Sequence, residues 1–458
     1  MFGKKLVNSE FGRNVLTLMK GSVIAQLLPL IIMPILTRMI SSEDFGVLTL
    51  FMSLAPFLMV IAAGRYEQAV VLPKEDKDAI NVLALGFVIL IFFVAILSLV
   101  TMVSVLTISD WGKMQALAEW IWLVPVTVFF GATYRIFNMW SNRKKRFGKT
   151  SVSLITQAST RSAAQLAGGF GKVGILSGQT GFMDFFRNAF STSFKNPSGL
   201  STLGSGTLII GYAAGFVFGT FSLLISFFRF DRSLLKEVNR NSMKEQAKIY
   251  RNFPRINAIH ALSDEFKNLG IAATIQYAFS AAIVGFYGMT YRVLHAPLAL
   301  IGSSISQVFY QKAAEMYANG QDLVPLIKTT VRKMLLIATP IFLIILFFGP
   351  TIFEWYLGKD WRIAGVYCQY LTPWMYLNFA IAPVLQVSVI MNKQGAYFIV
   401  SLIHNVLVLG AILIGGFVFK DIITGFMILS ALMIVFYVVV YRWVLNISAK
   451  THSSNNKE

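Results

Sequence analysis

Five cations sit where a hydrocarbon interior should exclude them. Lys20, Arg135, Arg161, Lys267 and Arg292 all fall inside stretches that otherwise read as transmembrane helices. Holding a charge at bilayer depth costs about 3 kcal/mol on insertion scales, so such residues usually face a water-filled cavity or a substrate path. Acids are scarce at the same depth, where only Asp264 and Glu265 stand out. An interior with this balance is positive and suits an anionic cargo. Arginine adds a geometric reason, because its planar fork makes paired hydrogen bonds to phosphate oxygens. Arg161 is the clearest case: it lies mid-span beside Gln157, Thr160, Ser162 and Gln165, the composition of a polar cavity wall. Arg135, near the end of its span, and Lys20 are equally well explained by snorkelling to the interface.

A second group could move protons. His260 and Asp264 are spaced i,i+4 and share a helix face, while Arg292 and His295 are i,i+3 on the next span. A carboxylate and histidines at membrane depth can change charge with pH. A structural ion pair of Asp264 or Glu265 with Lys267 or Arg292 accounts for the same residues, since buried charges need partners.

Other motifs have plainer readings. Gly169-Phe170-Gly171-Lys172-Val173-Gly174 matches a dinucleotide fingerprint, but no strand precedes it, so helix packing is the better explanation. Gly211, Gly215 and Gly219 are four residues apart and put three glycines on one helix face, which lets a neighbouring backbone approach. Ser41-Ser42-Glu43-Asp44 reads as a helix N-cap rather than a catalytic loop. Pro29, Pro34, Pro56, Pro125 and Pro340 fall inside spans, where they interrupt helical hydrogen bonding.

The elements that must position these residues are membrane helices. Of the 458 residues 56% are hydrophobic, well above a soluble globular chain. The net charge of +19 does not point to nucleic acid, because the excess Lys and Arg sit in short loops between apolar stretches. One cysteine, Cys368, excludes a disulfide framework, and the four histidines lack metal-ligand spacing. No cofactor is expected beyond a coupling H+ or Na+. The first apolar stretch is too long for a cleavable signal.

Spanning helices of roughly 20 residues are expected at 14–37, 47–63, 80–107, 120–140, 152–176, 206–228, 256–278, 284–310, 329–350, 364–391, 397–418 and 422–446. The fold class is therefore all-α and polytopic, with twelve spans. With the N-terminus inside, 27 Lys and Arg fall in cytoplasmic segments and 8 in outer loops, which puts both termini in the cytoplasm. A basic linker, 231–255, separates an N-terminal lobe, 1–230, from a C-terminal lobe, 256–458. A faint repeat at an offset of 239 pairs Ser41–Gly46 with Ser280–Gly285. Residues 177–205 read as an outer-loop insertion, with a short surface helix around Met183 to Phe194.

These residues carry a family resemblance. The run Leu36-Thr37-Arg38 through Ser42-Glu43-Asp44-Phe45-Gly46, then Gly64-Arg65-Tyr66-Glu67-Gln68-Ala69, resembles the opening of polysaccharide-export flippases. So do Val284-Gly285-Phe286-Tyr287, Pro297-Leu298-Ala299-Leu300-Ile301 and Ser304-Ile305-Ser306-Gln307-Val308-Phe309. That family belongs to a superfamily shared with the MATE drug exporters and the lipid II flippase. The resemblance implies two six-helix lobes around a cationic cavity that opens alternately to each side. It implies a cargo of undecaprenyl-pyrophosphate-linked sugar repeat units in the bacterial cytoplasmic membrane. Cavity cations are expected at Arg161 and Arg292, then Lys267, Lys20 and Arg135, with Asp264, Glu265, His260 and His295 balancing charge or coupling a cation. A polysaccharide polymerase and a chain-length regulator are the implied partners, and no bond chemistry is implied. A multidrug exporter on the same fold would want intramembrane acids, which the first half lacks. A membrane polymerase or glycosyltransferase would want a large catalytic outer loop, and 177–205 offers one acid, Asp184.

Overall fold

The computed structural model describes residues 10–176 and 199–455, and these are helical with no strand among them. The main helices are α1 (Glu10–Leu36), α2 (Ser42–Ala62), α3 (Asp76–Thr107), α4 (Leu123–Arg143), α5 (Phe147–Leu176) and α6 (Gly199–Phe230). A shorter helix, α7 (Arg240–Ile249), precedes α8 (Ala258–Ala278), α9 (Ala281–Ala318) and α10 (Val324–Leu357). The chain ends with α11 (Arg362–Ile381), α12 (Gln394–Leu413) and α13 (Ile422–Asn455). Two compact units result, Met1–Leu269 and Gly270–Glu458.

Each expected span falls on one of these helices, but they are not equally apolar. Six are long and apolar enough to cross a membrane alone, and two more qualify when a bent pair is counted as one span. Among the described residues α1, α5, α8 and α9 fall short of that test. These are the helices that carry Lys20, Arg161, Lys267 and Arg292.

Two expected boundaries are corrected. Residues 199–205 are not loop but the start of α6. Two glycines bring this part of the helix into contact: Gly204 lies against the Asp44 carboxylate and Gly206 against the Trp120 ring, and the Ser205 amide donates to Asp44 Oδ1 at 2.8 Å. The surface helix expected around 183–194 lies outside the described residues. The stretch 364–391 is broken rather than continuous, with a bend of 46° between Lys359–Ile381 and Val384–Ile390. Pro383 stands at that break and has no N–H to continue the ladder.

The repeat has a structural counterpart. Ser41 caps α2, its side chain accepting from the Asp44 amide, and Ser280 caps α9 by accepting from the Ile283 amide. Equivalent serines thus satisfy orphan amides at equivalent helix starts. Gly169 to Gly174, by contrast, lie within α5, which has no strand-to-helix turn to cradle a nucleotide.

In the first unit the basic run after α4 is a clamp. Arg143 pairs with Asp76 at 3.1 Å and donates to the Pro73 carbonyl at 2.6 Å, and Lys144 joins the same carboxylate. Arg146 pairs with the buried Asp231, whose Oδ2 also accepts from Trp140 Nε1 at 2.9 Å. These bonds lock the ends of α3, α4 and α6 together.

The glycine stripe of α6 sets its distance from α5. A methyl group at Gly215 would lie 2.9 Å from the Gln157 carbonyl oxygen and 3.1 Å from Arg161 Cβ. One at Gly211 would lie 3.1 Å from the Arg161 carbonyl oxygen. Close approach of this kind is what glycine allows in a membrane helix pair. Gly215→Leu is expected to destabilise the protein by about 3 kcal/mol through overpacking against backbone. Gly410→Ala, in a helix with nothing within 4 Å, is expected to gain about 0.5 kcal/mol. Thermal unfolding in detergent checks both, and equal behaviour of the two variants would contradict this packing.

Candidate functional site

The site of the first unit is built around Arg161 on α5. Its backbone and Cβ rest on Gly211 and Gly215 of α6, so the helix pair holds the side chain close to its root. The guanidinium lies over the Tyr212 ring, with Cζ 5.2 Å from the centroid. Nη2 is 3.5 Å from the Met52 sulfur on α2. Nε is buried without a hydrogen-bond partner. Among the described residues no carboxylate lies within 4.0 Å of it.

Around the cation, the neighbours are polar and fixed. Gln165 Nε2 donates to the Leu208 carbonyl at 2.9 Å, and Ser153 shares a hydrogen bond of 3.2 Å with the Tyr134 hydroxyl. Tyr212 is held edge-on by Phe51 at 6.2 Å and Phe216 at 5.2 Å. The ring face offers the cation quadrupole attraction, which is weaker than a full countercharge. Five N–H donors on a guanidinium cannot be satisfied by a thioether and a ring. An anion of fork-like geometry would complete the site.

A second cluster lies just beyond α2. Arg65 and Glu67 pair at 3.5 Å, with the carboxylate side chain only 4% exposed. Gly64 and Arg65 both have left-handed backbone, φ 57° and 59°, which turns the chain so that both charges point inward. Arg135 and Glu265 stand within electrostatic reach of Arg65. The structure thus brings Arg135 and Glu265 to the same charge-balanced group. Counting charges inside spans missed Arg65 and Glu67, because both lie in the connection after α2. Two opposite charges following a glycine, in a segment short of polar residues, were the available signal.

On α8 the charges interact locally. Lys267 feels the Asp264 and Glu265 carboxylates of its own helix. His260 Nδ1 stands 4.0 Å from Asp264 Oδ2, and Asn268 donates to Glu265 at 3.3 Å. In the second unit, Arg292 lies on α9 between Tyr291 and His295, whose rings stack with centroids 5.1 Å apart. Lys20 falls on α1, with its side chain outside the described residues. Among the described residues no group of three His, Cys, Asp or Glu could hold a metal.

Two family profiles, both described as polysaccharide biosynthesis protein, match residues 11–167 and 200–364. No curated protein sequence matches the chain. The fold is similar to that of lipid II flippase MurJ in an inward closed conformation, with TM-score 0.67, 12% identity, 95% of this chain and 87% of that one covered. It is also similar to a MOP superfamily transporter from Pyrococcus furiosus, with TM-score 0.59, 11% identity and 98% of each chain covered. A MATE protein in complex with MaL6 has TM-score 0.56, 10% identity, 98% of this chain and 99% of that one covered.

The Arg65–Glu67 pair has a pH signature. Burial pushes the Glu67 carboxyl above its usual range, and Arg65 only partly offsets this. In the window between the unfolded and the folded value, the folded chain therefore holds a proton that the unfolded chain has released. The associated stability is complete below the unfolded value of about 4.3 and is lost as pH rises through the folded one. Glu67→Gln is expected to remove that decline, measured as melting temperature against pH. An unchanged pH profile would contradict the assignment.

Proposed function

We infer that the chain is a multi-pass membrane protein of the polysaccharide biosynthesis protein family, whose models match residues 11–167 and 200–364, with a fold similar to that of a MOP superfamily transporter. From that premise we propose that it is a flippase for undecaprenyl-pyrophosphate-linked oligosaccharide repeat units, such as O-antigen units. It moves them across the bacterial cytoplasmic membrane by alternating access. The observation that carries this reading is Arg161: a guanidinium set among helices with no carboxylate within 4.0 Å among the described residues. A pyrophosphate supplies the missing countercharge and accepts the paired hydrogen bonds. The polyprenyl tail stays in the bilayer, where its burial needs no protein pocket.

Arg292 and Lys267 are the next cations proposed to meet the substrate, followed by Lys20 and Arg135. Lys267 and Arg135 have carboxylates nearby, so their role is weaker and adjustable. Asp264, Glu265, His260 and His295 are proposed to balance charge or couple a cation as the cargo moves. No bond is made or broken. A drug exporter for cations would be poorly served by an uncompensated arginine, since like charges repel. The P. furiosus transporter, whose reversed binding-pocket polarity suggests a different function, is a precedent for varied pocket charge on this fold.

Arg161→Ala is expected to cut surface-polysaccharide display in the native host at least tenfold at normal expression. Loss of a charged hydrogen bond costs about 1.5–3 kcal/mol, and every 1.4 kcal/mol is about tenfold in affinity. Arg161→Lys should fall between the two, because ammonium keeps the charge and loses the fork. Full display by Arg161→Ala would overturn the reading, as would accumulation of completed repeat units on the outer face.

A further inference from the structure

The segment leading into α8 carries a feature that substrate transport does not use. Arg229, Arg232, Lys236, Arg240, Lys244, Lys248, Arg251 and Arg255 follow one another at spacings of three or four residues. All eight are exposed. On α7, Arg240, Lys244 and Lys248 are i,i+4 and share one face. Only Glu237 and Glu245 are exposed acids in the same stretch, since Asp231 is buried against Arg146 and Trp140.

Apolar side chains accompany the cations. Ile249 is 57% exposed and Ile256 62%, and Phe228, Phe230 and Leu235 are exposed as well. The Arg229 guanidinium lies over the Phe230 ring at 5.5 Å. The opposite side of the segment is anchored. Buried Asn81 of α3 donates to the Glu237 carbonyl at 3.0 Å and accepts from the Asn239 amide at 2.9 Å. The Tyr66 hydroxyl donates to the Ala247 carbonyl at 3.3 Å, and Gln246 is buried.

The anchor fixes a depth. With 32 residues α3 is far longer than the hydrocarbon core requires. Its first turns, Asp76-Lys77-Asp78 and Asn81, are its polar end and must lie among the headgroups. A segment hydrogen-bonded to Asn81 therefore lies at headgroup level. There, exposed isoleucines can enter the acyl boundary while lysines and arginines reach phosphates, the arrangement of an interfacial amphipathic helix.

We propose that residues 229–256 form a docking surface for anionic phospholipid headgroups of the adjacent leaflet. Charge complementarity and the headgroup depth select this occupant. The site is independent of the transported cargo, so it stands or falls separately from the flippase reading. Each cation at an anionic membrane surface contributes about fivefold in attraction.

Native mass spectrometry of the full-length protein, titrated with phosphatidylglycerol or phosphatidylcholine, tests the proposal. The wild type is expected to retain phosphatidylglycerol at least tenfold more tightly. The triple variant Arg240→Gln/Lys244→Gln/Lys248→Gln should lose most of that preference. A charge-matched control, Lys328→Gln/Arg332→Gln/Lys333→Gln on exposed positions of α10, should keep it. Equal loss in both triples would reduce the effect to net charge and overturn the site. Equal retention of the two lipids by the wild type would also overturn it. So would equally tight capture of soluble glycerophosphoglycerol, which would point to free phosphate anions. As an independent readout, Ile249→Trp fluorescence should be quenched by brominated phosphatidylglycerol in vesicles. No quenching would remove the headgroup-level placement.

Discussion

A guanidinium among membrane helices must find a countercharge, and among the described residues no carboxylate of the first unit lies within 4.0 Å of Arg161. Its contacts are a thioether at 3.5 Å and an aromatic face at 5.2 Å. Both are compatible with a cation, and neither neutralises it. In a low-dielectric setting that is a standing electrostatic demand. Elsewhere in the unit the chain meets such demands. Arg65 has Glu67, Arg143 has Asp76, Arg146 has Asp231, and Lys267 has the carboxylates of its own helix. The contrast between these cations, each with a carboxylate nearby, and Arg161 among the described residues is what gives Arg161 its functional reading.

The open cation is held by packing rather than by bonds. Gly211 and Gly215 bring α6 against the Arg161 backbone, and any larger residue would push the two helices apart. Tyr212, on α6 next to Gly211, then covers the guanidinium, while Met52 reaches it from α2. Three helices thus define the position of one charge. A site on rigid helices needs little reorganisation when an anion arrives, which is the economy of a preorganised electrostatic site.

Much of this was legible in the residues. Hydropathy located the helices because a bilayer leaves few alternatives for a backbone. Ser41 announced a helix start through capping chemistry, and the glycine spacing announced a close helix pair. Arg161 stood out because its neighbours in sequence are polar. What was not legible depends on contacts distant in sequence. Asp44 looked like a local cap, yet its carboxylate also holds Ser205, and this brings 199–205 into α6. Arg65 and Glu67 stood in a resemblance motif but were not read as a buried pair, because only a left-handed turn brings them inward. The basic run Arg143 to Arg146 is among the Lys and Arg counted for topology, and the structure uses three of its four cations as ion-pair partners.

The central claim is that a pyrophosphate is the partner of Arg161. Thermal unfolding of the purified protein with added undecaprenyl pyrophosphate, and with undecaprenol as the uncharged control, tests it most directly. The account predicts that the pyrophosphate raises the melting temperature of the wild type, that undecaprenol does not, and that Arg161→Ala abolishes the rise. Equal stabilisation of wild type and Arg161→Ala by the pyrophosphate would contradict it.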